Sequence, residues 1–301
     1  MRFFLITNRI FMSSILVTGA EGQLGQCFQG LAKEYPIHNL FFMTKKTLDI
    51  TNAESLYKAY EKNTFEGIIN CAAYSKVDKA EKEIEKAFEI NEQGIKTLIA
   101  FAEEKNLFIV NFSTDYVFGV SKRKPLKEEH SKNPLNRYAH SKLAGEKILS
   151  KANCSHTTFR ISWLFSPFGS NFVKTILKLS NVEQEIKVVN DQVGRPTYGI
   201  DLAKVVLDNL TNPKFFHFDC YHFANKGEVS WFEFARKIIE ISKRDCSIEP
   251  CLTSEYETLA KRPKYSILDT NRIENHLSLS IQDWENALIR CIKKYNLNES
   301  I

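Results

Sequence analysis

Tyr138 and Lys142 stand four residues apart in the run Asn133-Pro134-Leu135-Asn136-Arg137-Tyr138-Ala139-His140-Ser141-Lys142. Side chains at that spacing share a helix face. A phenol titrates at about 10 in isolation. An ammonium beside it favours the phenolate and lowers that value. Tyr138 is then able to give or take a proton near neutral pH. Asn133 suits a helix N-cap and Pro134 the first helical position. Upstream, an apolar run over 107–112 leads into Ser113-Thr114-Asp115-Tyr116, offering hydroxyls where a strand ends. A hydroxyl, a phenol and an ammonium beside a hydride-donating cofactor make a carbonyl-reducing site. The phenol protonates the developing alkoxide, the hydroxyl orients the carbonyl oxygen, and the lysine tunes the phenol and holds the cofactor ribose. The Tyr–Lys spacing alone is equally that of a surface helix pair, so its meaning rests on its surroundings.

Ile15-Leu16-Val17-Thr18-Gly19-Ala20-Glu21-Gly22-Gln23-Leu24-Gly25 reads as a strand, a glycine turn and a helix start. Gly19 permits the tight turn, Gly22 lets backbone approach a pyrophosphate, and Gly25 lets the helix pack on the strand. The helix N-terminus presents N–H groups and a positive dipole end to an anion. A packing turn uses the same glycines, but this one opens a strand–helix–strand series, which favours a dinucleotide. A cofactor with a free ribose 2′-hydroxyl usually meets an acid at the end of the second strand. Here that strand ends Phe42-Met43-Thr44-Lys45-Lys46, without an acid. The lysines suit a 2′-phosphate, so NADPH is the expected donor and NADH the alternative. As ordinary turn residues, Lys45 and Lys46 are simply solvated.

The elements that must position these groups follow from the apolar pattern. Strands are expected over 15–18, 38–43, 67–71, 107–112 and 156–160, and helices over 23–33, 53–62, 77–88, 91–104 and 134–150. Strands that are apolar on both faces and alternate with helices imply a parallel sheet covered on both sides. Right-handed crossovers make it an α/β, doubly wound Rossmann sheet, which binds ligands at its carboxyl edge. After Trp163 the pattern loosens, with helices expected over 172–179, 198–210 and 231–242 between longer loops. The expected organisation is an N-terminal extension over 1–14 and a cofactor domain over 15–163. Residues 164–301 make a smaller substrate-binding lobe that sends some segments back to the first domain.

Composition limits the alternatives. With 43% hydrophobic and 26% charged residues, the chain reads as globular rather than disordered, collagenous or disulfide-stapled. Its 41 basic and 36 acidic residues give a net charge of +5, and the basic ones are scattered, so no nucleic-acid face is expected. The seven cysteines form no CxxC pair, which argues for reduced thiols serving as small hydrophobes rather than a zinc site. No carboxylate cluster near the C-terminus is offered as a metal site, and no metal is predicted. No apolar run reaches the ~18 residues of a membrane span. The run Phe3-Phe4-Leu5-Ile6 is too short for an export signal. A cytoplasmic protein is expected, with residues 1–11 before Met12 a loose tail or an upstream-start artefact. Ser141 and His140 lack the GxSxG turn of a Ser–His hydrolase.

Together these motifs resemble the extended short-chain dehydrogenase/reductases and, within them, the dTDP-4-dehydrorhamnose reductase family. The stretches that carry the resemblance are ILVTGAEGQLGQ (15–26), IINCAAYSKVDKAE (68–81), FSTDYVF (112–118), PLNRYAHSKLAGE (134–146), RISW (160–163), NF (171–172), VVNDQVGRPT (188–197), SWFEFA (230–235) and RPKYS (262–266). The resemblance implies NADPH-dependent reduction of the C4 keto group of dTDP-4-dehydro-6-deoxy-L-hexulose to dTDP-L-rhamnose by a monomer or homodimer. It implies Tyr138 as proton donor, Lys142 as its partner and Thr114 as the hydroxyl. It implies cofactor contacts at Gly22, Gln23, Leu24, Thr44, Asp49, Ile50, Cys71, Ala72 and Ala73. Substrate contacts are implied at Thr114, Asp115 and Trp163, with Asn171, Arg195 and Arg262 toward the nucleotide. Arg195 reads equally well as a loop brace, and Trp163 as packing. Two other readings share the resemblance: a non-catalytic NADP-binding subunit similar to the β subunit of methionine adenosyltransferase, and a related deoxysugar reductase or epimerase. Intact Thr114, Tyr138 and Lys142 favour the enzyme.

Overall fold

The computed structural model describes residues 13–119 and 123–299. Its strands, in chain order, are β1 (Ser13–Thr18), β2 (His38–Phe42), β3 (Gly67–Asn70), β4 (Phe108–Thr114), β5 (His156–Ile161), β6 (Leu164–Phe165), β7 (Glu185–Val189), β8 (Val193–Gly194), β9 (Thr197–Tyr198), β10 (Cys220–Phe223), β11 (Val229–Ser230) and β12 (Ser247–Cys251). The helices are α1 (Gln23–Leu31), α2 (Ala53–Lys62), α3 (Val77–Ala80), α4 (Ile84–Phe88), α5 (Gly94–Lys105), α6 (Arg137–Leu149), α7 (Phe172–Leu179), α8 (Gly199–Asn209), α9 (Trp231–Ser242), α10 (Asn271–Leu277) and α11 (Trp284–Glu299).

Six strands form one parallel sheet in the order β10-β5-β4-β3-β1-β2. The order reverses between β1 and β3, and a crevice opens at such a switch point above the carboxyl ends. Successive β1 residues serve opposite layers: Ile15 and Val17 join a core with Phe28, Val110 and Phe159, while Leu16 joins another with Leu56, Ile68 and Leu98. The fully apolar strands read from the sequence thus belong to a sheet buried on both faces. Of the predicted extension, residues 1–12 lie outside the described residues, and Ser13 and Ser14 already belong to β1.

Beyond Trp163 the chain builds the two-stranded pairs β6–β9, β8–β11 and β7–β12. α7 packs on α9, which covers β7 and β12. Residues 199–223 return to the sheet, with α8 on α1 and β10 at the edge beside β5.

Three helices depart from expectation: the one expected over 91–104 begins at Gly94, after a π turn over Glu89–Gln93. The predicted helix 77–88 breaks into α3 and α4, because carboxylates around the break have tertiary partners. Glu81 Oε1 accepts the Arg137 N–H at 2.7 Å, and Asp78 is taken up by Arg262. The helix expected over 134–150 starts at Arg137 rather than Pro134. Its cap is Asn136, whose Oδ1 accepts the Ala139 N–H at 2.8 Å while its Nδ2 donates to Lys261 O at 2.9 Å. That second bond crosses 125 residues of chain and outweighs the local Asn-Pro signal.

Candidate active site

The glycine turn is built on close approach. Gly19 has φ +61°, and a Cβ there would lie 2.5 Å from the Ala72 nitrogen. A Cβ on Gly25 would lie 2.4 Å from Gly19 O. Only glycines allow the turn, the end of β3 and the start of α1 to touch. Beneath them, Thr18 Oγ1 donates to Asn70 Oδ1 at 2.7 Å, and Asn70 Nδ2 donates to Asn111 Oδ1 at 3.0 Å, locking the ends of β1 and β3 to the middle of β4. α1 has no side-chain cap, so its first turn faces the crevice as an anion-binding end.

A cavity of about 630 Å³ opens there. Of the predicted cofactor residues, Gly19, Gly22, Asp49, Ile50, Cys71, Ala72 and Ala73 line it. Gln23, Leu24 and Gly25 form the adjoining helix start, and the Gln23 side chain donates to Leu164 O at 3.1 Å. Thr44 is not among the lining residues. Its N–H goes to Thr47 Oγ1 at 2.9 Å, closing a turn that leaves Lys45 on the wall instead. Glu21, Leu48, Lys76 and Ile90 also line the cavity and were not singled out from sequence. Lys76 sits within the quoted 68–81 stretch, the one signal that pointed to it. A cradle that only glycine can form, a bare helix N-terminus, and Lys45 and Lys76 as cations all suit a phosphorylated dinucleotide.

The catalytic candidates lie farther along the same edge. β4 delivers Thr114, whose Oγ1 donates to Asp115 Oδ1 at 3.1 Å and accepts the Tyr116 N–H at 3.2 Å. α6 brings Tyr138 alongside, with the Tyr116 ring edge-on at 6.5 Å. One turn on, Lys142 is buried. A π turn over Glu89–Gln93 presses Asn91 onto α6, where its Nδ2 donates to Ser141 Oγ at 2.9 Å. Ser141 is therefore a helix brace.

The electrostatics correct the expected tuning. Desolvation pushes the Tyr138 phenol above its ordinary value, and the Asp115 charge adds to the rise. The neighbouring Thr114 hydroxyl opposes it, and Lys142 is not a leading influence. Burial acts on the lysine too, pulling it down to about 8 against the attraction of Glu146. Desolvation raises Asp115 to about 7, opposed by hydrogen bonds from Ser266 and Thr114. An enclosed site penalises every charge it holds, an effect that helical spacing alone does not reveal.

Behind Lys142, Glu146 receives Arg160 as a fork: Nε lies 3.1 Å from both carboxylate oxygens and Nη2 2.7 Å from Oε2. Arg160 Nη1 donates to Glu128 O at 3.0 Å. Neither residue was picked out from sequence. They belong to different elements, and no spacing rule joins them.

On the substrate side the predicted residues separate. Trp163 adopts φ +48° and stacks on Trp231 at 3.5 Å, packed against Gly194. Asn171 spends its amide within its own turn: Nδ2 donates to Ser166 O and Phe168 O, and Oδ1 caps α7 by accepting the Lys174 N–H. Arg195 Nη1 donates to Leu268 O at 2.9 Å, the bracing geometry offered as its other reading. Arg262 instead reaches a cavity of about 250 Å³ lined by Phe172, Ile176, Val188, Trp231 and Tyr256. The apolar lining from α7, β7 and α9 was missed in sequence because it is assembled from three distant segments.

Fold and site together define an extended short-chain dehydrogenase/reductase. The family model described as RmlD substrate binding domain matches residues 12–297. The dTDP-4-dehydrorhamnose reductase of Aggregatibacter actinomycetemcomitans is 35% identical, covering 92% of this chain and 97% of its own. A Bacillus subtilis protein, spore coat polysaccharide biosynthesis protein SpsK, is 36% identical over 92% of this chain and 96% of its own. A crystal structure of dTDP-4-dehydrorhamnose reductase from Bacillus anthracis in complex with NADP superposes with a TM-score of 0.89 at 35% identity, covering 94% of this chain and 99% of that one. The chain belongs to the dTDP-4-dehydrorhamnose reductase family.

Among the described residues, no helix is long and apolar enough to cross a membrane.

Proposed function

We propose that the chain reduces the C4 keto group of dTDP-4-dehydro-6-deoxy-L-hexulose, yielding dTDP-L-rhamnose, with NADPH as the reductant. What supports the proposal is that the end of β4 and the start of α6 carry Thr114, Tyr138 and Lys142, on the sheet that also bears the glycine cradle. The family membership and the NADP complex of the Bacillus anthracis relative support it.

Bound NADPH supplies the hydride for the carbonyl carbon. Gly19, Gly22 and the α1 N-terminus hold the pyrophosphate, and Lys45 and Lys76 neutralise phosphate charge. Thr114 turns its one O–H from Asp115 Oδ1 to the carbonyl oxygen and so orients it. Tyr138, kept protonated by its raised value, gives its proton to that oxygen as negative charge develops. Because an alkoxide is a stronger base than a phenolate, the transfer runs toward product. Lys142, with a value of about 8, is mainly ammonium at neutral pH and steadies the phenolate left behind. Asp115 and Trp163 contact the sugar, and Arg262 lies on the path between sugar and nucleotide.

The test is NADPH oxidation with the 4-keto sugar nucleotide, supplied by a 3,5-epimerase. Wild type should turn over, and Tyr138→Phe should lose about 10²–10⁴-fold in kcat with NADPH affinity nearly unchanged. A wild-type protein that binds NADPH but leaves this substrate untouched would overturn the reaction; normal turnover by the variant would overturn the proton donor.

A further inference from the structure

Asp78 stands in α3, directly after the segment that lines the cofactor cavity with Cys71, Ala72, Ala73 and Lys76. Its carboxylate faces away from that cavity toward the lobe. Oδ2 accepts Arg262 Nη2 at 2.6 Å, and Oδ1 accepts Arg262 Nη1 at 3.2 Å and the Ala260 N–H at 3.1 Å. Arg262 Nη1 also donates to Ala260 O at 3.0 Å, so guanidinium, loop backbone and carboxylate form one closed knot. The knot fixes the loop that carries Tyr256, Thr258 and Arg262, all on the wall of the apolar slot. Ala260 is buried, but the loop's larger apolar side chains, Tyr256 and Leu259, are 55% and 59% exposed, so polar ties such as this one do much of the holding. A second tie, Asn136 Nδ2 to Lys261 O, comes from the cap of α6. α3 itself touches the chemistry: Ala80 packs in a cluster with Tyr74, Ala87 and the ring of Tyr138.

We propose that Asp78 is a positioning residue that fastens the Arg262 loop to the cofactor-lining segment, so that occupancy of the cofactor cavity orders the far, nucleotide side of the cleft. The fork geometry fixes the direction of the guanidinium as well as its place. The link is short: Lys76 faces the cofactor, and Asp78, two residues on, faces Arg262. By reciprocity, whatever binds against the loop must then tighten the cofactor by the same factor. The second half of the proposal rests on the nucleotide-sugar reading; the first half does not.

The experiment uses the full chain in two arms. In the first, hydrogen–deuterium exchange is followed over residues 252–265 with and without NADP⁺. Wild type should show exchange in 256–262 slowed about fivefold or more by NADP⁺, and Asp78→Asn should lose that protection while keeping it at 19–25 and 71–76. Arg262→Lys, which keeps the charge without the fork, should keep part of it. In the second, dTDP is titrated calorimetrically with and without NADP⁺. Its affinity should rise about fivefold in wild type and not in Asp78→Asn. Protection confined to the cofactor cavity in wild type, or unchanged loop protection in Asp78→Asn, overturns the tether. A lowered melting temperature with intact NADP⁺ dependence assigns Asp78 a structural role only and overturns it equally. If dTDP binds neither protein while the exchange coupling persists, the tether stands and the nucleotide-sugar reading fails. Should Asp78→Asn fold poorly, the reversed pair Asp78→Arg with Arg262→Asp replaces it, and failure of the reversed pair to regain any coupling counts against the proposal.

Discussion

Two arginine–carboxylate pairs lie beside α6, one behind it and one at the mouth of the cleft. Arg160 and Glu146 are 6% and 8% exposed, wedged between α6 and β5. Arg160 is fully occupied: Glu146 takes the fork, Glu128 O takes Nη1, and the Phe118 ring lies 5.1 Å from the guanidinium carbon. Beside it, burial and the arginine's charge hold His222 well below its usual value, so the ring is neutral. Arg262 and Asp78 keep 21% and 41% of their side chains in water, yet their shortest contact, 2.6 Å, is as tight as any in the buried pair. Distance therefore does not separate the two pairs, nor does a neighbouring cavity, since Glu146 and Arg160 also line one, of about 470 Å³; access of the charged groups to solvent does. A charge without water must keep its partner for the fold to survive. A half-wet charge loses little when parted, and so is free to answer to a ligand.

The largest effect expected from that contrast is on stability. Glu146→Gln leaves Arg160 charged, buried and uncompensated, and should cost about 3–5 kcal/mol, read as a lower denaturant midpoint. Replacing both partners, Glu146→Leu with Arg160→Met, should recover most of the loss. If the single variant unfolds at the wild-type midpoint, the buried pair is no more structural than the exposed one and the contrast fails.

Lys142 is as buried as Arg160, but its partner, Glu146, is already committed to that arginine. Its value of about 8 is depressed, so the folded chain releases this proton more readily than the unfolded one. Below pH 8 the buried ammonium opposes folding in full. Between pH 8 and the ordinary lysine range, near ~10.4, the unfolded state holds more protons, and stability rises with pH. Lys142→Met should thus be more stable than wild type at pH 7 by about 1–3 kcal/mol and should lack that alkaline rise. Its turnover should fall about 100-fold or more. A variant that is destabilised at pH 7 would mean that the lysine has a better partner than burial suggests.

How much of this was legible beforehand depended on the range of the interaction responsible. The spacing of Gly19, Gly22 and Gly25 and the apolar strands around them placed the cradle, because a strand–turn–helix is specified within a dozen residues. The parallel doubly wound sheet followed from the same local alternation, and helices such as Ala53–Lys62, Phe172–Leu179 and Trp231–Ser242 start and stop where their own sequences say. What the sequence hid was set by distant partners. Lys261 O moves the start of α6 from Pro134 to Arg137. Arg262 and Arg137 draw off Asp78 and Glu81 and break the helix over 77–88. Two-residue strands such as Leu164–Phe165 carry no periodicity, so the lobe's layout was invisible. The chemistry of the Tyr138–Lys142 pair was predicted from spacing, but the sign of its tuning was set by burial, a property of the assembled site.

The smallest effect is expected where the contrast is sharpest, at the cleft mouth. Asp78→Asn keeps an acceptor for the Ala260 N–H and loses only the charge opposite Arg262, which can turn to water. An exposed pair of this kind contributes about 0–1 kcal/mol, so the denaturant midpoint should barely move at neutral pH. Its pH dependence should still be readable. The Arg262 fork holds Asp78 below the usual carboxylate range. Such a group adds stability above its unfolded value, and that stability is lost as pH falls through the depressed folded value. Wild type and Asp78→Asn should therefore differ slightly at pH 7 and converge under acid, whereas Glu146→Gln should stay far below wild type at neutral pH. A loss of several kcal/mol in Asp78→Asn at pH 7 would place the mouth pair with the buried one, and the loop it holds would then be part of the rigid fold rather than a surface ready to respond to what binds beside it.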